Sequence, residues 1–110
     1  MKNIEKRGME AAEKYLIRKG YEVESVDYDK SMIVAIDDDF IAFVNVSTRL
    51  ADEEGFRDPQ YTREGFEKYA INWLAGRPDL VNIGVRPDSI AIAVIGDEQA
   101  LLRHHIKCFA

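Results

Sequence analysis

The chain has 110 residues, 46% of them apolar and 32% charged, with 15 basic and 20 acidic side chains and a net charge of −5. That is one domain's worth of material, residues 1–110, and it excludes a multidomain enzyme, a collagen-like or low-complexity chain and a disordered tail. The acid surplus disfavours bulk attraction to a polyanion, so any nucleic-acid site has to be a local basic patch.

The first expected element is a helix from Lys2 to Lys19. Ile4, Gly8, Ala11, Ala12, Tyr15 and Leu16 recur at three- and four-residue spacing on one face, and Gly20 stops it. Tyr21 to Tyr28 alternates Tyr21 and Val23 with Glu22 and Glu24, the pattern of a half-exposed strand. The runs Met32–Ile36 and Phe40–Val46 are nearly all apolar and suit strands covered on both faces. Asp37-Asp38-Asp39 between them reads as a hairpin turn. Ala51 to Pro59 is polar and irregular. A second helix is expected over Thr62–Ala75, with Phe66, Tyr69, Ala70 and Trp73 on one stripe, Thr62 as its cap and Gly76 and Pro78 as stop signals. Strands at Ser89–Ile95 and Ala100–Phe109, around a turn containing Asp97, close the chain. The order αβββαββ predicts an α/β fold, a mixed sheet with helices packed on it.

No run approaches the roughly 20 apolar residues of a membrane helix. The start Met1-Lys2-Asn3-Ile4-Glu5 has no signal-peptide apolar stretch, and the lone Cys108 cannot close an internal disulfide. A cytoplasmic protein without a membrane contact is expected.

Few residues advertise chemistry. His104 and His105 are neighbours on a strand, so they point to opposite faces and do not share a metal. Cys108 lacks a CxxC partner and reads as a buried thiol. The three aspartates read as solvated turn residues, and Phe66, Tyr69 and Trp73 as core. Phosphate loops, GxSxG and HExxH motifs do not occur. One stretch is unusual: alternation places Asn45, Ser47 and Arg49 on one side of an otherwise apolar strand, where they need hydrogen-bond partners or water.

Four segments in order resemble the YraN-like family of small bacterial proteins. Gly8-Met9-Glu10-Ala11-Ala12-Glu13-Lys14-Tyr15-Leu16, then Gly20-Tyr21, is similar to the family opening G-E-x-x-A-x-x-Y-L-x-x-x-G-[YF]. Phe43-Val44-Asn45-Val46-Ser47-Thr48-Arg49 corresponds to F-V-E-V-K-x-R. Arg86-Pro87-Asp88-Ser89 corresponds to R-F-D-[VI], and His104 through Phe109 echoes H-x-x-x-A-F. The resemblance implies a restriction-endonuclease-like PD-(D/E)xK fold, a mixed β-sheet flanked by helices.

It also implies a metal-dependent nuclease site made of a helix Glu, a strand Asp, a strand Glu and a strand Lys. At the corresponding positions this chain carries Met9, Ile33, Asn45 and Ser47. Holding Mg²⁺ requires anionic oxygens, and the lysine would polarise water or stabilise developing charge. With those groups replaced, the chain is expected to bind no metal and to be a catalytically inactive nuclease-fold domain, retained to bind nucleic acid or protein.

Arg49, Arg63 and Arg86 are the candidate contacts to a phosphate or an acidic segment, because guanidinium forks suit both. The competing reading is that Arg49 and Arg86 pair internally with acids such as Asp88. Two further functions remain open. A divergent Mg²⁺- or Mn²⁺-dependent endonuclease would need migrated carboxylates, with Glu10 and Asp37 as candidates. One helical step turns Glu10 about 100° from Met9, and Asp37 lies about 13 Å along the strand from Ile33. Alternatively the apolar segment Ala100–Ala110 pairs with a second copy in a homo-oligomer.

Overall fold

Helical and strand periodicities sort the apolar side chains of this sequence onto two faces of one sheet. The computed structural model describes residues 3–51, 61–80, 82–96 and 99–109. In chain order it contains α1 (Asn3–Arg18), β1 (Glu22–Asp27), β2 (Met32–Asp37), β3 (Phe40–Leu50) and α2 (Arg63–Ala75). A short 3-10 turn (Pro78–Leu80), β4 (Gly84–Val94) and β5 (Ala100–His105) follow. The sheet is mixed, with its strands in sequence order from β1 to β5. β3 and β4, which α2 connects, run parallel; the other neighbours are antiparallel. No described helix is long and apolar enough to cross a membrane.

α1 buries Met9, Ala12 and Leu16, spaced at three and four residues, against Ile33, Val44 and Ile90. α2 covers the opposite face, where Phe66 and Ala70 meet Met32, Ile41 and Phe43. The edges of Tyr69 and Trp73 pack on Phe43, with ring centroids 6.1 and 5.8 Å away. The aromatic stripe of α2 is thus core packing. Each large apolar side chain withdrawn from water contributes about 1.5–3 kcal/mol, so two covered faces supply the main stabilising term.

The helix ends follow the sequence signals. Gly20 adopts φ +96°, and the Tyr21 N–H donates to the Leu16 carbonyl at 2.9 Å, closing α1. Thr62 Oγ1 accepts from the Gly65 N–H at 3.1 Å and caps α2.

Three strands differ from expectation. β3 runs to Leu50, pairing with β4 as far as Val94, so Asn45, Ser47, Thr48 and Arg49 are buried. β4 begins at Gly84, five residues before the expected Ser89, and includes Pro87. Ladder alternation turns the Pro87 nitrogen toward the β5 side, where pairing has already ended at Ser89, so its missing N–H breaks no bond. The Pro87 carbonyl accepts there from the Cys108 N–H at 2.9 Å. β5 stops at His105, and residues 106–109 turn back with Lys107 at φ +55°. Past Ala51, the irregular segment expected to Pro59 lies outside the described residues, as do Lys2, Asp97 and Ala110.

Candidate binding site

The structure does not bring Met9, Ile33, Asn45 and Ser47 together. Met9 and Ile33 lie in the α1-side core, and Ile33 sits opposite Val44. Asn45 sits opposite Met32, which belongs to the α2-side core. Strand alternation therefore points Asn45 and Ser47 away from Ile33, through the sheet. Asn45 is held by its own fold, its Nδ2 donating to the Ser31 carbonyl at 3.1 Å. Glu10 is exposed on the flank of α1 beside Arg7 and Lys14, remote from Asn45. Among the described residues, no three His, Cys, Asp or Glu side chains are grouped to hold a metal ion.

Polar groups converge instead at the other end of the sheet, where β2 and β5 finish and β4 begins. Asp88, fully buried on β4, is the hub. Arg86 grips it with two bonds, Nε to Oδ1 at 3.0 Å and Nη2 to Oδ2 at 2.9 Å. The same guanidinium donates to Asp37 Oδ2 at 2.9 Å and to the Tyr21 hydroxyl at 2.6 Å. Asp88 also accepts from the Lys107 N–H at 3.1 Å and lies 2.9 Å from His104 Nε2. His104 Nδ1 is 3.0 Å from the Tyr15 hydroxyl. A ring that donates from Nε2 to Asp88 and accepts at Nδ1 from Tyr15 satisfies every member.

Burial alone would raise the Asp88 carboxyl. Hydrogen bonds from His104, Arg86 and the Lys107 amide, with the Arg86 charge, outweigh it and hold the group below the ordinary carboxylate value. Burial pushes the Cys108 thiol up, and the nearby Asp88 charge adds to this, so the thiol stays protonated near neutral pH. Both nitrogens of His104 are committed to protein partners, which leaves no lone pair facing solvent to accept a substrate proton. Chemically the cluster is a clasp: it fixes the chain after β5 against the start of β4.

The clasp shapes a small concavity. Phe40, Arg63, Val85, Pro87, Lys107 and Phe109 line it beside Arg86, enclosing about 190 Å³. The Lys107 ammonium and the Arg86 guanidinium both lie over the Phe40 ring, 5.7 and 5.9 Å from its centroid. Arg63, on the first turn of α2, donates from Nη2 to the Phe109 carbonyl at 3.1 Å. Through Arg63, Val85, Pro87 and Phe109 the concavity opens into an apolar groove of about 510 Å³ between α2 and β4. Ile71 and Val85, both lining that groove, are 67% and 45% exposed, unusually wet for their type.

Of the three candidate arginines, the structure brings Arg63 and Arg86 to one place. Arg49 is on the far half of β3, buried, with Nη1 donating to the Leu50 carbonyl at 2.7 Å. For Arg86 the internal-pair reading describes what is found, and Asp37 is its second partner. Sequence reading named Asp88 as a partner for Arg86 but missed His104, Tyr15 and Lys107 as members of the same cluster. The available signal was Arg86-x-Asp88, two opposite charges on one face of a strand in an apolar neighbourhood.

Neither a family model nor a curated protein matches the chain.

Proposed function

We propose that this chain is a non-catalytic, nuclease-like domain that binds an apolar segment of a partner protein bearing an anionic group. The observation that carries this reading is the convergence of Arg63 and Lys107 at the mouth of a wet apolar groove. The buried Arg86 is already neutralised by two aspartates. The exposed cations are therefore the recognition groups, and the clasp holds one of them, Lys107, in place. An anionic side chain or phosphate pairs with these cations, while its apolar neighbours cover Ile71 and Val85. The non-catalytic part is supported by residue type: the four positions that the family resemblance assigns to metal and water carry two core apolar side chains and two neutral polar ones.

The test is a ¹⁵N–¹H NMR titration with short acidic–aliphatic peptides and, separately, single-stranded oligonucleotides. Peptide-induced shifts should map to Arg63, Ile71, Val85 and Lys107. Arg63→Glu with Lys107→Glu should weaken binding at least tenfold. Absence of shifts at these four residues, or equal affinity at this groove in the double variant, would overturn the assignment. Oligonucleotide binding at this groove would overturn the choice of a protein partner.

A further inference from the structure

The two edges of the sheet are built differently. β1 carries a bulge between Val23 and Ser25, and acids at Glu22, Glu24 and Asp27. α2 and the chain after it tie this edge down: Trp73 Nε1 donates to Ser25, Tyr69 to Asp27, and Arg77 pairs with Glu24 at 2.8 Å. Bulges, charges and cover are the usual devices that blunt a sheet edge.

All six residues of β5 pair in unbroken register with β4, without a bulge, and among the described residues no further strand pairs with its outer side. The Ile95 N–H donates to the Gln99 carbonyl at 2.9 Å, which marks that opposed pair as a bonded one. Alternation of the ladder then turns the N–H and C=O groups of Ala100, Leu102 and His104 outward.

Charge complements this open edge. α1 packs chiefly on β1, β3 and β4, leaving a cleft of about 600 Å³ between the helix and the β4–β5 pair. Arg7, Lys14 and Arg18 stand along its helical wall, Glu10 lies among them, and Ile92 and Leu102 lie on the sheet side. Their i, i+7, i+11 spacing puts the three cations on one line about 16 Å long. On the other face of β5, Leu101 is 56% exposed, and Arg103 and His105 are exposed beside it.

We infer that β5 is a docking edge for an extended acidic segment of a partner protein, which adds as a sixth strand. Such a strand presents alternate side chains toward the cleft over about 13 Å for three positions, close to the length of the cation row. Acidic residues there meet Lys14 and Arg18, and aliphatic residues on the opposite face cover Leu101. A second copy is a poor occupant, because antiparallel β5–β5 pairing sets the two cationic flanks against each other. This edge lies apart from the Arg63–Lys107 groove and does not depend on that assignment.

The probe is an end-blocked eight-residue peptide of alternating Glu and Val, followed by amide hydrogen exchange and NMR on the full chain. The outward amides of Ala100, Leu102 and His104 should exchange at least tenfold more slowly on saturation. Methylating alternate peptide nitrogens, replacing Glu by Lys, or introducing Lys14→Glu with Arg18→Glu on exposed α1 positions should each weaken binding at least tenfold. Undiminished binding of the N-methylated peptide would reduce the interaction to charge and overturn strand addition. Equal binding of the lysine peptide, or protection of the same amides by dimerisation without any peptide, would overturn the acidic partner.

Discussion

Asp88 and His104 lie on neighbouring strands, 16 positions apart in the chain, and meet with Asp88 Oδ2 2.9 Å from His104 Nε2. The contact joins the start of β4 to the end of β5. Because Arg86 and the Lys107 amide bind the same carboxylate, one fully buried side chain organises the whole lower end of the sheet.

Asp88→Asn removes that charge and leaves Arg86 with one charged partner, the partly exposed Asp37, besides the Tyr21 hydroxyl. Breaking one side of a buried, hydrogen-bonded ion pair costs about 3–5 kcal/mol. Urea denaturation followed by circular dichroism should show a loss of that size. A loss below about 0.5 kcal/mol would mean that the clasp is replaceable.

The acid limb of stability should carry the same signature. The Asp88 carboxyl is held below its unfolded value, so its contribution is complete above the unfolded pKa, about 3.9. It is lost as pH falls through the lower folded value. Wild type minus Asp88→Asn stability, measured from pH 7 to pH 2, should be constant down to about pH 4 and then shrink. A difference that begins to shrink near pH 6 would assign the effect to another group.

Gly8 is required by contact, not by backbone angle. A Cβ there would overlap Thr48 Oγ1 and lie 2.8 Å from Thr48 Cβ on β3. Gly8→Ala should destabilise by about 1–3 kcal/mol, as overpacking does. Combining it with Thr48→Ala should recover part of that loss, a non-additivity that a double-mutant cycle measures directly.

Installing the acids and lysine of the nuclease pattern that the sequence resembles should fail to make a metal site, for a topological reason. Asn45→Glu and Ser47→Lys place their charges on the α2 side, whereas Ile33→Asp enters the α1-side core beneath Met9. The triple variant should show no Mn²⁺-dependent rise in melting temperature. Ile33→Asp alone should cost several kcal/mol as a buried carboxylate. A rise with Mn²⁺ in the triple variant would show that the strands shift register to reunite the three positions.

Much of the scaffold was legible in the chain. The stripes of α1 and α2, the Gly20 and Thr62 caps and the two long apolar strands follow from local periodicity and capping chemistry. The Ser89–Ile95 run predicts only the later part of β4, whose first half contains Pro87, a residue that central strands seldom hold. It is tolerated where the β5 ladder has ended, and no local signal reports that. Arg86 illustrates the same limit: its charge left a ligand contact and an internal pair with Asp88 both open, and only the fold decides for Asp88 and adds Asp37 as a second partner.

The amino-acid pattern alone determined element types, the two-faced burial and the lack of anionic side chains at Met9, Ile33, Asn45 and Ser47, because periodicity and side-chain chemistry are local properties. Tertiary structure alone decided which of those positions share a face, which cations are spent internally and which edge stays open. Those outcomes depend on strand register and on helix placement over the sheet. Both arise from contacts between residues far apart in sequence, such as Tyr15 with His104 and Asp37 with Arg86.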